Sequence, residues 1–156
     1  MEWIDNIGQT VNTGNLVFAL NGKFTIERVK VLSTRKNEVF GPEPTVVFDD
    51  GRYMYAAYVI SLTALGCTDE MITNENSGKP GYDILGHELH DGDVVLSVPG
   101  RMQTRAQKGI VLKQTASTCK ISMGMDIHNA DFHRRKYVEV LSLSALGKED
   151  FEVRNP

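Results

Sequence analysis

The chain predicts an all-β protein of two tandem small barrels, and three observations lead there. Short apolar runs alternate with Gly/Asp turns along the whole length, and hardly any stretch carries a helix-length apolar period. The second half repeats the first. Gly14-Asn15-Leu16-Val17-Phe18 aligns with Gly92-Asp93-Val94-Val95-Leu96, Arg28-Val29-Lys30-Val31-Leu32 with Lys108-Gly109-Ile110-Val111-Leu112, and Ile60-Ser61-Leu62-Thr63-Ala64-Leu65-Gly66 with Leu141-Ser142-Leu143-Ser144-Ala145-Leu146-Gly147. The matches keep their order while the offset grows from 78 to 80 to 81 residues, as when loops lengthen between fixed elements. Finally, 156 residues suit two small units, each burying little more than ~60% of its unfolded surface.

The elements follow in order. Residues 1–9 are a lead-in in which Trp3, Ile4 and Ile7 form either one helical turn packed on the first unit or an irregular arm. Residues 16–20 are a strand. Residues 24–32 alternate, but the apolar face changes partway, which a bulge or strong bend produces. Gly41-Pro42-Glu43-Pro44 is expected as a loop because each proline withdraws a ladder donor. Residues 45–48 are β-branched and extended, Asp49-Asp50-Gly51 is a tight hairpin, and 52–60 resume with Tyr53, Tyr55 and Tyr58. Residues 61–66 close the copy as a helical turn or last strand. In the second copy, strands are expected at 94–98, 109–114, 118–123 and 137–143. The units are thus 1–66 and 84–147, joined by a polar linker at 67–83 and followed by a charged, fraying tail at 148–156.

Bulk properties exclude some classes. Cys67 and Cys119 fall at non-equivalent places and read as free, reduced thiols of a cytoplasmic protein. No apolar run approaches the ~18–20 residues that cross a bilayer, and Met1-Glu2-Trp3-Ile4-Asp5 lacks a signal peptide's regions, so no membrane partner is expected. The net charge of -3 is uneven: residues 1–80 carry seven Lys/Arg against ten Asp/Glu, and residues 81–156 carry ten of each. Within positions 94–136, Arg101, Arg105, Lys108, Lys113, Lys120, Arg134, Arg135 and Lys136 face only Asp126 and Asp131, with His128 and His133 nearby. A local basic field on an acidic chain suits a polyanion; the same charges also suit a solvated sheet edge.

The second copy resembles a KOW motif, the strand-turn-strand kernel of SH3-like barrels in ribosomal proteins and NusG/Spt5 transcription factors. Its matching residues are Gly92-Asp93, Val95, Val98, Gly100, Lys108-Gly109 and Val111. In the first copy Gly14, Val17, Gly22 and Val31 survive, while Val29 or Lys30 stands where Gly109 would. Tudor-like and chromo-like barrels share this geometry. The whole also resembles small early DNA-binding proteins of T-even phages. The resemblance implies two SH3-like barrels that bind RNA, DNA or protein, with no cofactor.

Four chemistries bear on these residues. The eight basic residues named above, with Gln103, Thr104, Gln107 and Thr115, would grip phosphates from one rim without reading bases. No arginine-studded helix is present for the major groove. Tyr53, Tyr55 and Tyr58 offer a stacking platform or a cage for a cation, or else pack internally. His87-Glu88-Leu89-His90-Asp91 and His128-x-x-Asp131-x-His133 hold ligand types without a zinc spacing, so no metal is expected. No phosphate loop or nucleophile elbow is present. The sequence therefore reads as a non-enzymatic nucleic-acid binder, with DNA, as duplex, favoured over RNA, and located with the nucleoid. The rivals are a protein-interaction module docking a transcription or nucleoid protein through the first copy's tyrosines, and a small metal-dependent hydrolase using the two histidine clusters.

Overall fold

The apolar runs do form strands. In the computed structural model, which describes residues 1–20, 24–39, 41–98, 105–122 and 131–155, the strands lie in two units. The first is built on Met1–Cys67 and includes Arg154 and Asn155; the second covers the described residues from Thr68 to Val153. The first unit is a five-stranded antiparallel sheet of β1 (Leu16–Leu20), β2 (Phe24–Asn37), β3 (Gly41–Phe48), β4 (Tyr53–Tyr55) and β5 (Val59–Ser61), in the order β4-β3-β2-β1-β5. The second contains β6 (Val94–Ser97), β7 (Gln107–Gln114), β8 (Cys119–Ser122), β9 (Phe132–Arg135) and β10 (Val140–Ser142), in the order β10-β6-β7-β8-β9. Strand for strand, the two orders are the same. Each unit also has a 3-10 turn immediately before its last strand, Ala56–Tyr58 and Tyr137–Glu139, and the second has a further one at Asp69–Thr73.

The face change expected in residues 24–32 is a bulge: the β2–β3 register slips between Val29 and Val31. Its counterpart in β7 lies between Val111 and Lys113, so register matches Val111 to Val29 and not to Val31 as the sequence match expected, a shift of two residues. One extra residue bends each long strand, so its two ends serve different ladders around one core. Val17, Ala19, Val29, Val46, Phe48 and Val59 fill the first core, and Val95, Val111, Cys119, Ile121, Tyr137 and Val140 the second. At Gly109 a Cβ would lie 2.5 Å from the Ser122 carbonyl oxygen, so this glycine permits the close approach of β8.

Several expectations need correcting. The expected closed barrels are not seen in the pairing: among the described residues β4 does not pair with β5, nor β9 with β10, and both ladders stay open. Residues 41–44 are strand rather than loop, pairing with β2 as far as Asn37. Pro42 and Pro44 are tolerated because β4 reaches only Thr45–Val47, so their missing donors face a margin with no paired strand among the described residues. Residues 52–60 are interrupted by a 3-10 turn, and residues 137–143 open with one. The edge strand β9 was not expected. At the chain end, the Arg154 amide donates to the Ile7 carbonyl (3.0 Å) and Asn155 Nδ2 to the Asn6 carbonyl (2.9 Å), so the tail is held at these residues rather than frayed.

The lead-in is also more than an arm. Asp5, fully buried, accepts the Ile7 and Gln9 amides (3.0 and 2.7 Å) on one oxygen and Gln9 Nε2 and the Ser61 amide (2.9 and 2.8 Å) on the other. Asp83, equally buried, accepts the Leu85 and His87 amides (3.0 and 2.8 Å) and the Ser142 amide (2.8 Å). Each carboxylate ties the loop before the first strand to the last strand. The repeat therefore extends upstream, Ile4-Asp5-Asn6-Ile7-Gly8-Gln9-Thr10-Val11 aligning with Tyr82-Asp83-Ile84-Leu85-Gly86-His87-Glu88-Leu89. Both loops turn through a glycine at positive φ (+92° at Gly8, +83° at Gly86), and both carry an isolated bridge, Ile4 to Thr10 and Tyr82 to Glu88. Residues ahead of Asp83 are fastened to this second loop, with Gly78 donating to the Asp83 carbonyl and Asn74 to that of Gly86.

Two outcomes follow from the paired loops. Asp83→Ala leaves two buried amides and one half-buried amide without acceptors, at ~1–3 kcal/mol each, and is expected to cost the second unit about 3 kcal/mol or more in a urea melt. The second concerns His87, whose Nδ1 lies 3.4 Å from Asp83 Oδ2. The Asp83 carboxylate raises the His87 pKa above its ordinary value, against the opposing effect of burial. The imidazolium thus stabilises the fold fully below its unfolded pKa of ~6.5, and that contribution disappears as pH rises through the raised value. His87→Gln, which installs the first unit's Gln9, should leave a melting-temperature gap to wild type that is widest below the unfolded pKa and shrinks as pH rises through the raised value.

Candidate nucleic-acid interface

The bulge in β7 decides which side chains meet. Beyond it Lys113 pairs with Lys120 of β8, and Lys120 pairs with Arg134 of β9. Cys119 and Ile121, flanking Lys120, point into the core, so by alternation Lys120 points outward with its two partners. Three cations therefore stand in one row across three strands, with neighbouring Cβ atoms ~4.5–5.5 Å apart. Phe132, two residues before Arg134, shares that face and is 39% exposed. Its ring centroid lies 4.0 Å from Lys120 Nζ and 5.4 Å from Arg134 Cζ. Among the described residues no carboxylate forms an ion pair with Lys113, Lys120 or Arg134.

Like charges placed directly opposite one another weaken a sheet. The fold does not require them. By register the same row in the first unit is Val31, Val47 and Tyr53. There Val31 and Tyr53 are 46% and 51% exposed, and the Arg35 guanidinium lies 3.3 Å over the Tyr53 ring. One framework thus carries an apolar row in one copy and a cationic row in the other.

The remaining sequence candidates disperse. Arg105 is exposed just ahead of β7, and Lys108 pairs with Leu96 of β6, at the far end of β7 from Lys113. Arg135 turns the other way, its Nε donating to Ser97 Oγ at 2.8 Å and its Nη2 lying 3.2 Å from His133 Nδ1. Lys136 is exposed at the start of the 3-10 turn, where its amide donates to Glu139. Arg101 lies outside the described residues, as do Gln103, Thr104, Asp126 and His128. Thr115 is occupied in its own turn, bonding to Thr118, and Gln107 Oε1 meets His133 Nε2 at 3.0 Å. Burial, and then the Arg135 charge, lower the His133 pKa, so His133 adds no positive charge near neutrality. Phe132 was missed; reading residues 132–135 as a strand places Phe132 and Arg134 on one side and reveals it.

Of the tyrosines, Tyr53 and Tyr55 share the outer side of β4, and Tyr55 and Tyr58 have ring centroids 6.1 Å apart. With Phe48, Met54 and the Asp50–Arg52 hairpin they line a cavity of about 680 Å³. Arg52 is paired to Asp50 and to Glu27 across its rim. His87 and His90 do not lie in a strand. They instead lie in the loop that Asp83 shapes and both line a cavity of about 310 Å³ with Glu88, Asp93 and Ser144. Among the described residues no three His, Cys, Asp or Glu side chains converge as a metal cluster, and no helix is long and apolar enough to cross a membrane.

No protein-family model, curated protein or solved structure matches the chain.

Both cysteines are buried. Burial pushes the Cys119 thiol up to about 12, with the Asp91 and Asp93 charges adding to the rise. A neutral, enclosed thiol is a poor nucleophile. Cys119 is therefore expected to resist Ellman's reagent in the native protein and to react once denaturant is added; rapid native labelling of Cys119 would contradict the placement.

Proposed function

We propose that the chain is a non-enzymatic nucleic-acid-binding protein whose second unit grips the phosphate backbone of DNA, in preference to RNA, through Lys113, Lys120 and Arg134. The observation that carries this reading is the cationic row, which has no ion-pairing carboxylate among the described residues, at positions that are apolar in the sister unit. Three adjacent like charges on a short sheet lower its stability unless a polyanion relieves them. Phosphates do so and release counterions as they bind. Each unit is read as an open SH3-like barrel, whose ladder does not close among the described residues, supported by the shared strand order, the bulged second strand and the 3-10 turn before the last strand. On this reading the protein works in the cytoplasm at the nucleoid.

A second reading is favoured by the first unit's Val31–Val47–Tyr53 row and the tyrosine-lined cavity beside it. Exposed aromatic and β-branched side chains on one face suit a protein surface. The first unit then docks a protein of the transcription or nucleoid machinery while the second holds nucleic acid.

Fluorescence anisotropy with labelled DNA across a salt series tests the principal reading. Affinity should fall linearly on logarithmic axes, and each of Lys113→Ala, Lys120→Ala and Arg134→Ala should lower the slope by about one. Arg135→Ala, which removes an inward guanidinium, should leave the slope unchanged. A triple Lys113/Lys120/Arg134 alanine variant that binds as wild type would refute the assignment.

A further inference from the structure

Resting on that reading, we infer that the cationic row of the second unit takes an unpaired strand, and that Phe132 is the platform on which one of its bases stacks. A site that only counted phosphates along a duplex would have no use for an exposed aromatic ring, since the duplex presents sugars and phosphates there and keeps its bases stacked inside. Phe132 lies on the outer side of an edge strand, 39% exposed, on the same face as Arg134 and within 4.0 Å of the Lys120 ammonium. It is not filling a core, for Ile121 and Cys119 do that from the other side of β8.

The free site already shows the type of contact involved. Lys120 and Arg134 both rest near the ring, and a cation over an aromatic face is a weak, solvent-exposed attraction. An incoming nucleotide offers each group a better partner. Its phosphates draw Lys120 and Lys113 to charge-assisted contacts, its base takes the ring face that Lys120 leaves, and the Arg134 guanidinium flanks the same base. The row spans two strand spacings, about 10 Å, which brings cations within reach of successive phosphates of one strand. Every base has a π face, so the site is indifferent to sequence.

The chemistry is shared by single-stranded DNA and RNA, and the probes separate them: labelled oligo(dT), oligo(rU) and a DNA duplex of equal length, compared at one salt concentration with the whole chain. Either single strand is expected to bind more tightly than the duplex. Phe132→Ala should weaken single-strand binding by about tenfold while changing duplex binding by less than about twofold. Phe132→Trp should restore or strengthen it, and Phe132→Leu should behave as Ala does, which a merely structural ring would not predict. Far-ultraviolet circular dichroism of each variant confirms that the sheet persists. Equal binding of all three probes, unmoved by Phe132→Ala, would overturn this inference and leave the cationic row in place. Failure to bind any of them would overturn both readings.

Discussion

Each unit depends on one buried carboxylate. Asp5 and Asp83 lie out of contact with water, and what makes that tolerable is that every lone pair in use faces an N–H donor from two separated parts of the chain. The loop amides come from residues two and four further on, and the distant one from the final strand, 56 residues away in the first unit and 59 in the second. A neutral side chain could not serve as well, because an amide in its place would present an N–H to another N–H. The final strand is only three residues long in each unit, and this contact fixes its register at Ser61 and Ser142. The same serines then cap the following turn, with their hydroxyls receiving the Ala64 and Ala145 amides.

Around this shared frame the copies have traded parts. Trp3 donates its indole N–H to the Ser33 carbonyl in the first unit, where position 56 is a buried alanine. In the second unit the residue aligned with Trp3 is Gly81, and Tyr137, at the place of Ala56, donates its hydroxyl to the carbonyl of Thr115, the counterpart of Ser33. A large aromatic thus arrives from a different element and satisfies the equivalent acceptor. Interiors are packed too closely to leave such a volume empty or fill it twice. The outer rows are free of that constraint, which is why one copy can present Val31, Val47 and Tyr53 where the other presents Lys113, Lys120 and Arg134.

Much of this was legible in residue order. The duplication, the strands at 16–20 and 94–97 and the bent second strand all follow from glycine-bounded apolar runs and a slipped alternation. What escaped was held by tertiary pairing. Phe132-His133-Arg134-Arg135 has little strand propensity by itself and is extended because β8 supplies its ladder. The loop carboxylates were hidden because Asp5 and Asp83 look like ordinary surface acids until Ser61 and Ser142 are brought to them. In the interface, composition located the basic segment but not the selection within it. Only register separates Arg134, which points outward, from Arg135, which points back towards Ser97.

The proline-bearing half of β3 has a further effect. Pro42 and Pro44 sit where the strand runs past the end of β4, at a margin that pairs with no other strand among the described residues. An unfolded or neighbouring chain sliding alongside would meet two positions with no hydrogen to offer, two residues apart and on the same side. Cross-β growth needs an uninterrupted donor row. Along that flank the first unit's long hairpin therefore offers an incoming strand no continuous donor row.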